Sequence, residues 1–203
     1  GYANKLLDYL KAVSLASGSL ATEQTILETA SVSRPSAVKY DLALRKLGIS
    51  YQLPAFSHND FSRLKKRHKT MMADTAMMAA INGWHEQLVL SKPELLGALA
   101  ENFVAQQLMP LVDSFSATLS YLRTGSGDRE IDFMLELDGA VIPIEVKATN
   151  TVTLNDAKHI QWFSKSSEAF KFGIVFYLGD RQFELAENIH AVPIASLWKH
   201  PVG

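Results

Sequence analysis

Two strand-like segments on either side of Asp138-Gly139 constrain the fold of this chain more than any other feature. Residues 130–137 place an apolar side chain at every second position, and residues 140–148 form a second run of strand-forming residues. Asp-Gly favours a two-residue type I′ turn, because both of its positions tolerate positive φ. The sequence therefore predicts an antiparallel hairpin in which Leu137 faces Ala140, and this pair fixes the rest of the register.

The same register predicts a group of charged side chains. Asp132 faces Glu145, Glu130 faces Lys147, and strand alternation puts all four on one face. The opposite face is expected to hold the apolar residues Ile131, Phe133, Ile144 and Val146. Two opposed carboxylates repel each other, so either water and Lys147 screen them or they bind a hard divalent cation such as Mg²⁺. The spacing alone leaves both explanations open.

The N-terminal part of the chain has the element order of a winged helix. The third predicted helix has its proline in the tolerated first turn, and Gly48 follows its end. The predicted elements are helices at 4–16, 22–30 and 35–47 and a strand at 49–53.

Nucleic-acid contact by this unit would use the start of the third helix, where recognition helices read DNA. Arg34 and Lys39 are the cations there, with Ser36 and Tyr40 beside them. A protein-docking module with the same elements is the alternative.

A basic run follows within residues 58–69 and includes Lys65, Lys66 and Arg67. It is expected to be either a solvated connector or a patch that contacts phosphates without specificity. Residues 1–70 carry 11 basic and 5 acidic side chains, whereas residues 71–203 carry 9 and 16. An acidic remainder repels nucleic acid, so any binding should be weak and led by the basic run.

The C-terminal part alternates helices and strands. Ser91 and Glu94 suggest a capping box for a helix that runs until Pro110. The other predicted elements are a strand-to-helix segment at 71–82, strands at 119–123 and 173–178, and a mainly helical segment at 155–170.

These acidic residues resemble the motif of a known enzyme class. Asp132 with Glu145-Val146-Lys147 is similar to the D…ExK motif of PD-(D/E)xK phosphodiesterases, and Glu101 matches their additional acidic residue on a preceding helix. A longer pattern resembles the C-terminal domain of unknown function that follows the AAA-type ATPase module in many bacterial and archaeal proteins. Its segments are Lys69 to Asp74-Thr75, Gly97 to Val104, Tyr121-Leu122-Arg123, Glu130 to Phe133 and Ile144 to Lys147.

The resemblance implies an α/β chain with three parts. A winged helix-turn-helix at 1–57 and a basic connector at 58–69 precede a restriction-endonuclease-like domain at 70–203, whose mixed sheet is flanked by helices. Ala76 stands where the family commonly has Gly, which affects a local turn only.

The resemblance also implies a site and a function. Glu101, Asp132 and Glu145 would hold Mg²⁺ or Mn²⁺, while Asp132, Glu145 and Lys147 would be the catalytic group of a metal-dependent nuclease. The alternative is a non-catalytic DNA-binding or protein-docking adaptor of an AAA-type ATPase. The ATPase module itself would lie outside this chain, since no G-x-x-x-x-G-K-[ST] loop is present.

The composition of the chain excludes several kinds of site and of protein. The absence of cysteine excludes disulfides and thiolate zinc sites, and the six histidines lack zinc-ligand spacing. No apolar run approaches the roughly 20 residues that span a bilayer. We therefore expect a cytoplasmic protein, in which the initial Gly1 suggests a fragment of a longer chain. The sequence leaves its oligomeric state open.

Replacing Lys65, Lys66 and Arg67 together by Ala should flatten the salt dependence of nucleic-acid binding. Each lost phosphate contact lowers the slope of log K against log salt by about 0.9 for duplex DNA. Titrations of labelled DNA at several salt concentrations measure that slope. Tight binding that is indifferent to salt would contradict an electrostatic footprint.

Overall fold

A computed structural model describes residues 2–19, 21–57, 67–125 and 127–198 of the protein. The chain forms two compact units. The first comprises Gly1–Leu53 and His68–Gln106, and the second comprises Pro54–Arg67 and Gln107–Gly203.

The first unit contains helices and a two-stranded antiparallel sheet. Its elements in chain order are α1 (Tyr2–Leu15), α2 (Glu23–Ala30), α3 (Arg34–Lys46), β1 (Ser50–Leu53), β2 (Lys69–Met72), α4 (Thr75–Asn82), α5 (Glu86–Ser91) and the start of α6 (Pro93–Phe115). The predicted helices and first strand are confirmed to within about two residues. The Thr22 side chain caps α2 by accepting from Thr25 N, and Asp74 caps α4 in the same way through Met77 N.

Asn102 ties three segments of the first unit together. Its Oδ1 accepts from Ser17 Oγ at 2.8 Å and from Met72 N at 3.1 Å, while its Nδ2 donates to Met72 O at 3.1 Å and Thr75 Oγ1 at 3.3 Å. The residue is fully buried. One side chain on α6 thereby binds both backbone groups of Met72, the last residue of β2, and the Met72 N–H also donates to Ser17 Oγ at 2.9 Å.

The second unit is built on a six-stranded mixed sheet flanked by helices. Its strands lie in the order β3-β4-β5-β6-β8-β7, with the parallel neighbours β5, β6 and β8 at the centre. Their bounds are β3 (Thr118–Arg123), β4 (Glu130–Leu137), β5 (Ala140–Lys147), β6 (Gly173–Tyr177), β7 (Phe183–Ala186) and β8 (Ile189–Pro193). Helix α7 (Lys158–Ser166) contacts β4 and β5 and buries Ile160 and Phe163, and short 3-10 helices occupy Leu154–Ala157 and Ile194–Leu197.

The predicted hairpin register is confirmed along the ladder that joins β4 to β5. Leu137 pairs with Ala140, and the pairing continues without a slip to Phe133 and Ile144. Asp138 and Gly139 both have positive φ, 49° and 79°, as a type I′ turn requires. The positions of Asp132 and Glu145, and of Glu130 and Lys147, lie beyond the last pair of this ladder.

A β-bulge corrects the predicted division of apolar faces. Ser120 of β3 pairs with Met134 of β4, and Leu122 pairs with Ile131. One residue of β3, Tyr121, therefore lies opposite two residues of β4, Asp132 and Phe133. The extra residue reverses the alternation, so Ile131 packs in one cluster with Met134 and Val141. The expectation that Ile131 and Phe133 share a face is therefore wrong.

Two predicted helix boundaries are also wrong. Ser91 ends α5, and its hydroxyl donates to the Leu88 carbonyl at 2.9 Å, so it forms no capping box with Glu94. Helix α6 continues through Pro110 to Phe115, although proline cannot donate a hydrogen bond to the preceding turn.

The compact units differ from the predicted domains 1–57, 58–69 and 70–203. Residues 70–106 group with the N-terminal helices, because β2 pairs with β1 and Asn102 binds Ser17 and Met72. Residues 54–57 group with the sheet, where Phe56 N donates to Tyr121 O. Most of the basic connector, including Lys65 and Lys66, lies outside the described residues.

Replacing Asn102 by Asp should destabilise the protein by about 2–4 kcal/mol, because a buried carboxylate would face the Met72 carbonyl in place of a donor. Urea unfolding measures the change. Asn155→Asp, at an exposed position, is the matched control and should change stability by about 0.5 kcal/mol or less. Equal effects of the two substitutions would contradict the role of Asn102.

Candidate functional site

Asp132, Glu145 and Lys147 come together where β4 and β5 separate. Glu145 is 4% exposed, and its Oε2 accepts from Lys147 Nζ at 3.0 Å. Asp132 Oδ2 accepts from the backbone N–H of Val146 at 2.8 Å. The bulged segment thus uses a carboxylate side chain, rather than a carbonyl, to satisfy an amide of the neighbouring strand.

Burial raises the pKa of Glu145 from 4.5 to about 8. This value already includes the negative charge of Asp132 and a hydrogen bond with its side chain, which also raise the pKa, and Lys147, which lowers it. The ammonium therefore offsets only part of the cost of placing two carboxylates together. At neutral pH this arrangement favours a proton, or another cation, on Glu145.

Lys147 is held in its charged form by its surroundings. Burial alone would lower its pKa, but the charges of Glu145 and Asp132, its hydrogen bond to Glu145 and the charge of Asp156 together raise it. The side chain remains about one third exposed, so the ammonium is anchored by a buried carboxylate yet reachable from solvent.

His159 of α7 borders the same group. Its Nδ1 lies 2.7 Å from Glu130 O and 3.9 Å from Glu145 Oε1. The sequence had indicated only that His159 is not a zinc ligand. No spacing signal pointed to its contact with Glu145, because the contact depends on how α7 packs against the sheet.

Glu101 belongs to the first unit, whereas Asp132, Glu145 and Lys147 belong to the second. Its Oε1 accepts from Lys69 Nζ at 2.5 Å, and Lys69 is 1% exposed. Lys69, which the sequence placed within the basic run at 58–69, is therefore a buried partner of this carboxylate. Burial, followed by the charge of Glu101, raises the pKa of Tyr51 in the same unit.

The predicted nucleic-acid residues have mixed surroundings. Arg34 is exposed but binds Glu23 at 3.0 Å, while Lys39 and Arg67 are exposed. Tyr40 is 3% exposed and packs in the core, so its predicted contact with DNA is wrong. Lys65 and Lys66 lie outside the described residues.

The donor set at Asp132 and Glu145 is compatible with Mg²⁺. Within residues 2–19, 21–57, 67–125 and 127–198, no three His, Cys, Asp or Glu side chains form a ready metal cluster. Mg²⁺, however, keeps several waters and is usually held by one or two carboxylates together with substrate phosphates. The unfavourable proximity of two carboxylates also fits a cation. Mn²⁺ accepts the same oxygen ligands.

The fold and the site define an α/β protein whose mixed sheet carries a buried glutamate beside an aspartate and a lysine. The chain belongs to the family described as a domain of unknown function, DUF4143, which matches residues 96–197 and is found after AAA ATPase modules in many proteins. Residues 2–88 match a second domain of unknown function, DUF8612. In the described part of the chain, no helix has the length and apolar character to cross a membrane.

Two mycobacterial proteins are similar to most of the chain. They are the uncharacterized proteins Mb2031c of Mycobacterium bovis and Rv2008c of Mycobacterium tuberculosis, each 28% identical over 176 residues. The match covers 87% of this chain and 38% of each relative. The chain therefore corresponds to less than half the length of these relatives.

Glu145→Gln should remove a pH dependence of stability. The folded-state pKa of Glu145, about 8, exceeds its ordinary value, so the folded state binds the proton more tightly. This contribution is complete below about pH 4.5 and is lost as pH rises towards 8, at up to about 1.4 kcal/mol per pH unit. Urea unfolding at several pH values should show this fall in the wild type and a smaller fall in the variant.

Glu187→Gln, at an exposed position, is the control for that experiment and should keep the wild-type profile. Parallel profiles for wild type and Glu145→Gln would contradict the raised pKa.

Proposed function

We propose that the second unit hydrolyses phosphodiester bonds in nucleic acid with the help of a divalent metal. One observation carries this proposal: a buried glutamate is placed against an aspartate, with a lysine bound to the glutamate. Burying like charges is unfavourable and needs an offsetting cation. Perturbed acidic groups of this kind occur preferentially at functional sites.

Asp132 and Glu145 would hold the metal, which would lower the pKa of a bound water and stabilise charge on the phosphate. Glu101 is proposed as an additional ligand on the strength of the motif resemblance. Glu101 would then either bind the metal while it keeps its ion pair with Lys69, or lose that ion pair when the metal binds.

The chain's own groups have separable tasks. The Val146 N–H orients the Asp132 carboxylate, and the Lys147 ammonium orients Glu145. Because Lys147 is charged and partly exposed, it can also stabilise negative charge that develops on a phosphate oxygen. His159 of α7 borders the same carboxylate, with its Nδ1 3.9 Å from Glu145 Oε1.

The proposal extends to the fold of each unit, to a partner and to the location of the protein. We propose that the mixed sheet with α7 is a PD-(D/E)xK, restriction-endonuclease-like core, since the aspartate and the E-x-K segment lie on adjacent strands. We also propose that α1 to α3 with β1 and β2 form a winged helix. An AAA-type ATPase module is the proposed partner, because the family occurs after such modules. The cytoplasm is the proposed location.

An adaptor without catalysis is the second candidate, and the surface of α3 favours it. Val38 and Leu42 are 61% and 44% exposed and one turn apart, so they form an apolar strip on the helix that would read DNA. Arg34, on the same helix, already binds Glu23. Exposed apolar side chains suit protein contacts better than contacts to phosphate.

Asp132→Asn distinguishes the two candidates. Without metal, the variant should be as stable as the wild type or more stable, because it relieves repulsion and its amide oxygen can still accept from Val146 N. Saturating Mg²⁺ or Mn²⁺ should raise the wild-type Tm by on the order of 5 °C, and the variant should lose this increment. Differential scanning calorimetry with EDTA, Mg²⁺ or Mn²⁺ measures both effects.

Cleavage assays on single- and double-stranded DNA and RNA complete the test. Asp132→Asn should lower the rate by about 100-fold or more, and Lys147→Ala should lower it while keeping the metal increment. Asp138→Asn removes the same charge at the exposed turn and should behave as wild type. A wild type with neither a metal increment nor cleavage would favour the adaptor.

A further inference from the structure

A cleft in the second unit, between the end of β3 and α7, has no assigned role. Its volume is about 440 Å³, within the range of small-ligand sites. Leu122, Phe163 and Trp162 supply apolar lining, and Arg123 supplies a cation. The hydroxyl-bearing residues Thr124, Ser166 and Ser167 also line the cleft.

Two arginines give the cleft a positive rim. The guanidinium of Arg129 lies 4.4 Å from the centre of the Trp162 ring, a cation–π contact on an exposed arginine. Arg123 lines the cleft, and its ion pair with Glu130 is long, at 3.9 Å. Both cations can therefore meet a phosphate without the loss of a strong internal bond. This rim contrasts with the acidic balance of residues 71–203.

The cleft and the carboxylates share their supporting elements. Arg123 pairs with Glu130 across β3 and β4, and Glu130 lies two residues, roughly 7 Å, before Asp132 on the same strand. His159, which borders Glu145, is on the same helix as Trp162. A chain that leaves the cleft along β4 would therefore reach the carboxylates within a short distance.

We infer that this cleft binds an unstacked nucleotide of a single-stranded nucleic acid, with the base against Trp162 and the phosphate between Arg123 and Arg129. An aromatic face beside arginine is the usual recognition chemistry for single strands. Duplex bases remain stacked on their neighbours and cannot enter a pocket of this size. The inference rests on the proposed function for its substrate class, but the binding itself requires no metal.

The test uses the intact chain in EDTA, so that binding is measured without cleavage. Labelled oligo(dT) and oligo(rU) of about eight nucleotides are compared with a hairpin duplex by fluorescence anisotropy. Trp162→Leu should weaken single-strand binding by on the order of 10-fold, whereas Trp162→Phe keeps an aromatic face and should retain most of it. Thermal unfolding verifies that each variant is folded.

Arg129→Gln tests the cleft without altering buried packing. It should weaken single-strand binding several-fold and lower the magnitude of the salt slope by about 0.7. Lys171→Gln removes an equal charge from an exposed position elsewhere in the unit and should bind as wild type. Equal affinity for single strand and duplex, or equal losses in Arg129→Gln and Lys171→Gln, would overturn the inference.

The outcomes separate this inference from the proposed hydrolysis. Single-strand binding that depends on Trp162 and Arg129, in a protein without cleavage or a metal increment, would support the cleft and refute the hydrolytic function. If the wild type cleaves nucleic acid but Trp162→Leu and Arg129→Gln bind single strands as the wild type does, nucleotide binding in the cleft is refuted and the hydrolytic function is not.

Discussion

The contact between Asp132 and Glu145 is the interaction around which the second unit is organised. Two carboxylates near each other in a buried place oppose folding, and the surrounding groups reduce that cost in different ways. Lys147 supplies a positive charge, and Val146 supplies a backbone N–H. These groups are adjacent in β5, so a short stretch of one central strand supports both acids. The cost that remains is the reason to expect a cation.

The first unit also contains an acidic side chain with little exposure, but there a lysine neutralises its charge. Lys69 and Glu101 form a buried ion pair, so the charge is neutralised within the unit itself. Asn102, the next residue on α6, uses neutral hydrogen bonds to hold β2 against the turn that follows α1 and the start of α4. Removing one partner of the buried pair should be costly, because the other charge would remain without compensation. Here, a paired acid and a neutral amide serve the core, whereas the second unit keeps its acids incompletely compensated.

The sequence predicted the β4–β5 hairpin well, because a two-residue Asp-Gly turn leaves only one register compatible with the apolar pattern. It could not predict the bulge at Asp132 and Phe133, since that irregularity depends on pairing with β3, which is distant in sequence. The mixed α/β class was predicted, but β7 and β8 were missed because both strands are short and contain polar residues. Ser91 was misplaced because its hydroxyl binds the preceding turn of α5 instead of beginning α6.

Candidate site residues were predictable to the extent that they lie on the hairpin. Asp132, Glu145 and Lys147 follow from spacing, whereas His159 and Trp162 reach the same region only through the packing of α7. Lys69 illustrates the opposite error, because a lysine in a basic run was expected to be exposed, either to solvent or to phosphate, and is buried instead. Local charge density cannot indicate which member of a run faces the core.

The hydrogen bond from Val146 to Asp132 has a spectroscopic consequence. An amide proton in a regular ladder faces a carbonyl, whose charge does not change with pH or with ligands. The Val146 amide instead faces the Asp132 carboxylate, so its chemical shift depends directly on what that carboxylate binds. A backbone resonance in the middle of the sheet therefore reports the occupancy of the candidate site, without any label placed within it.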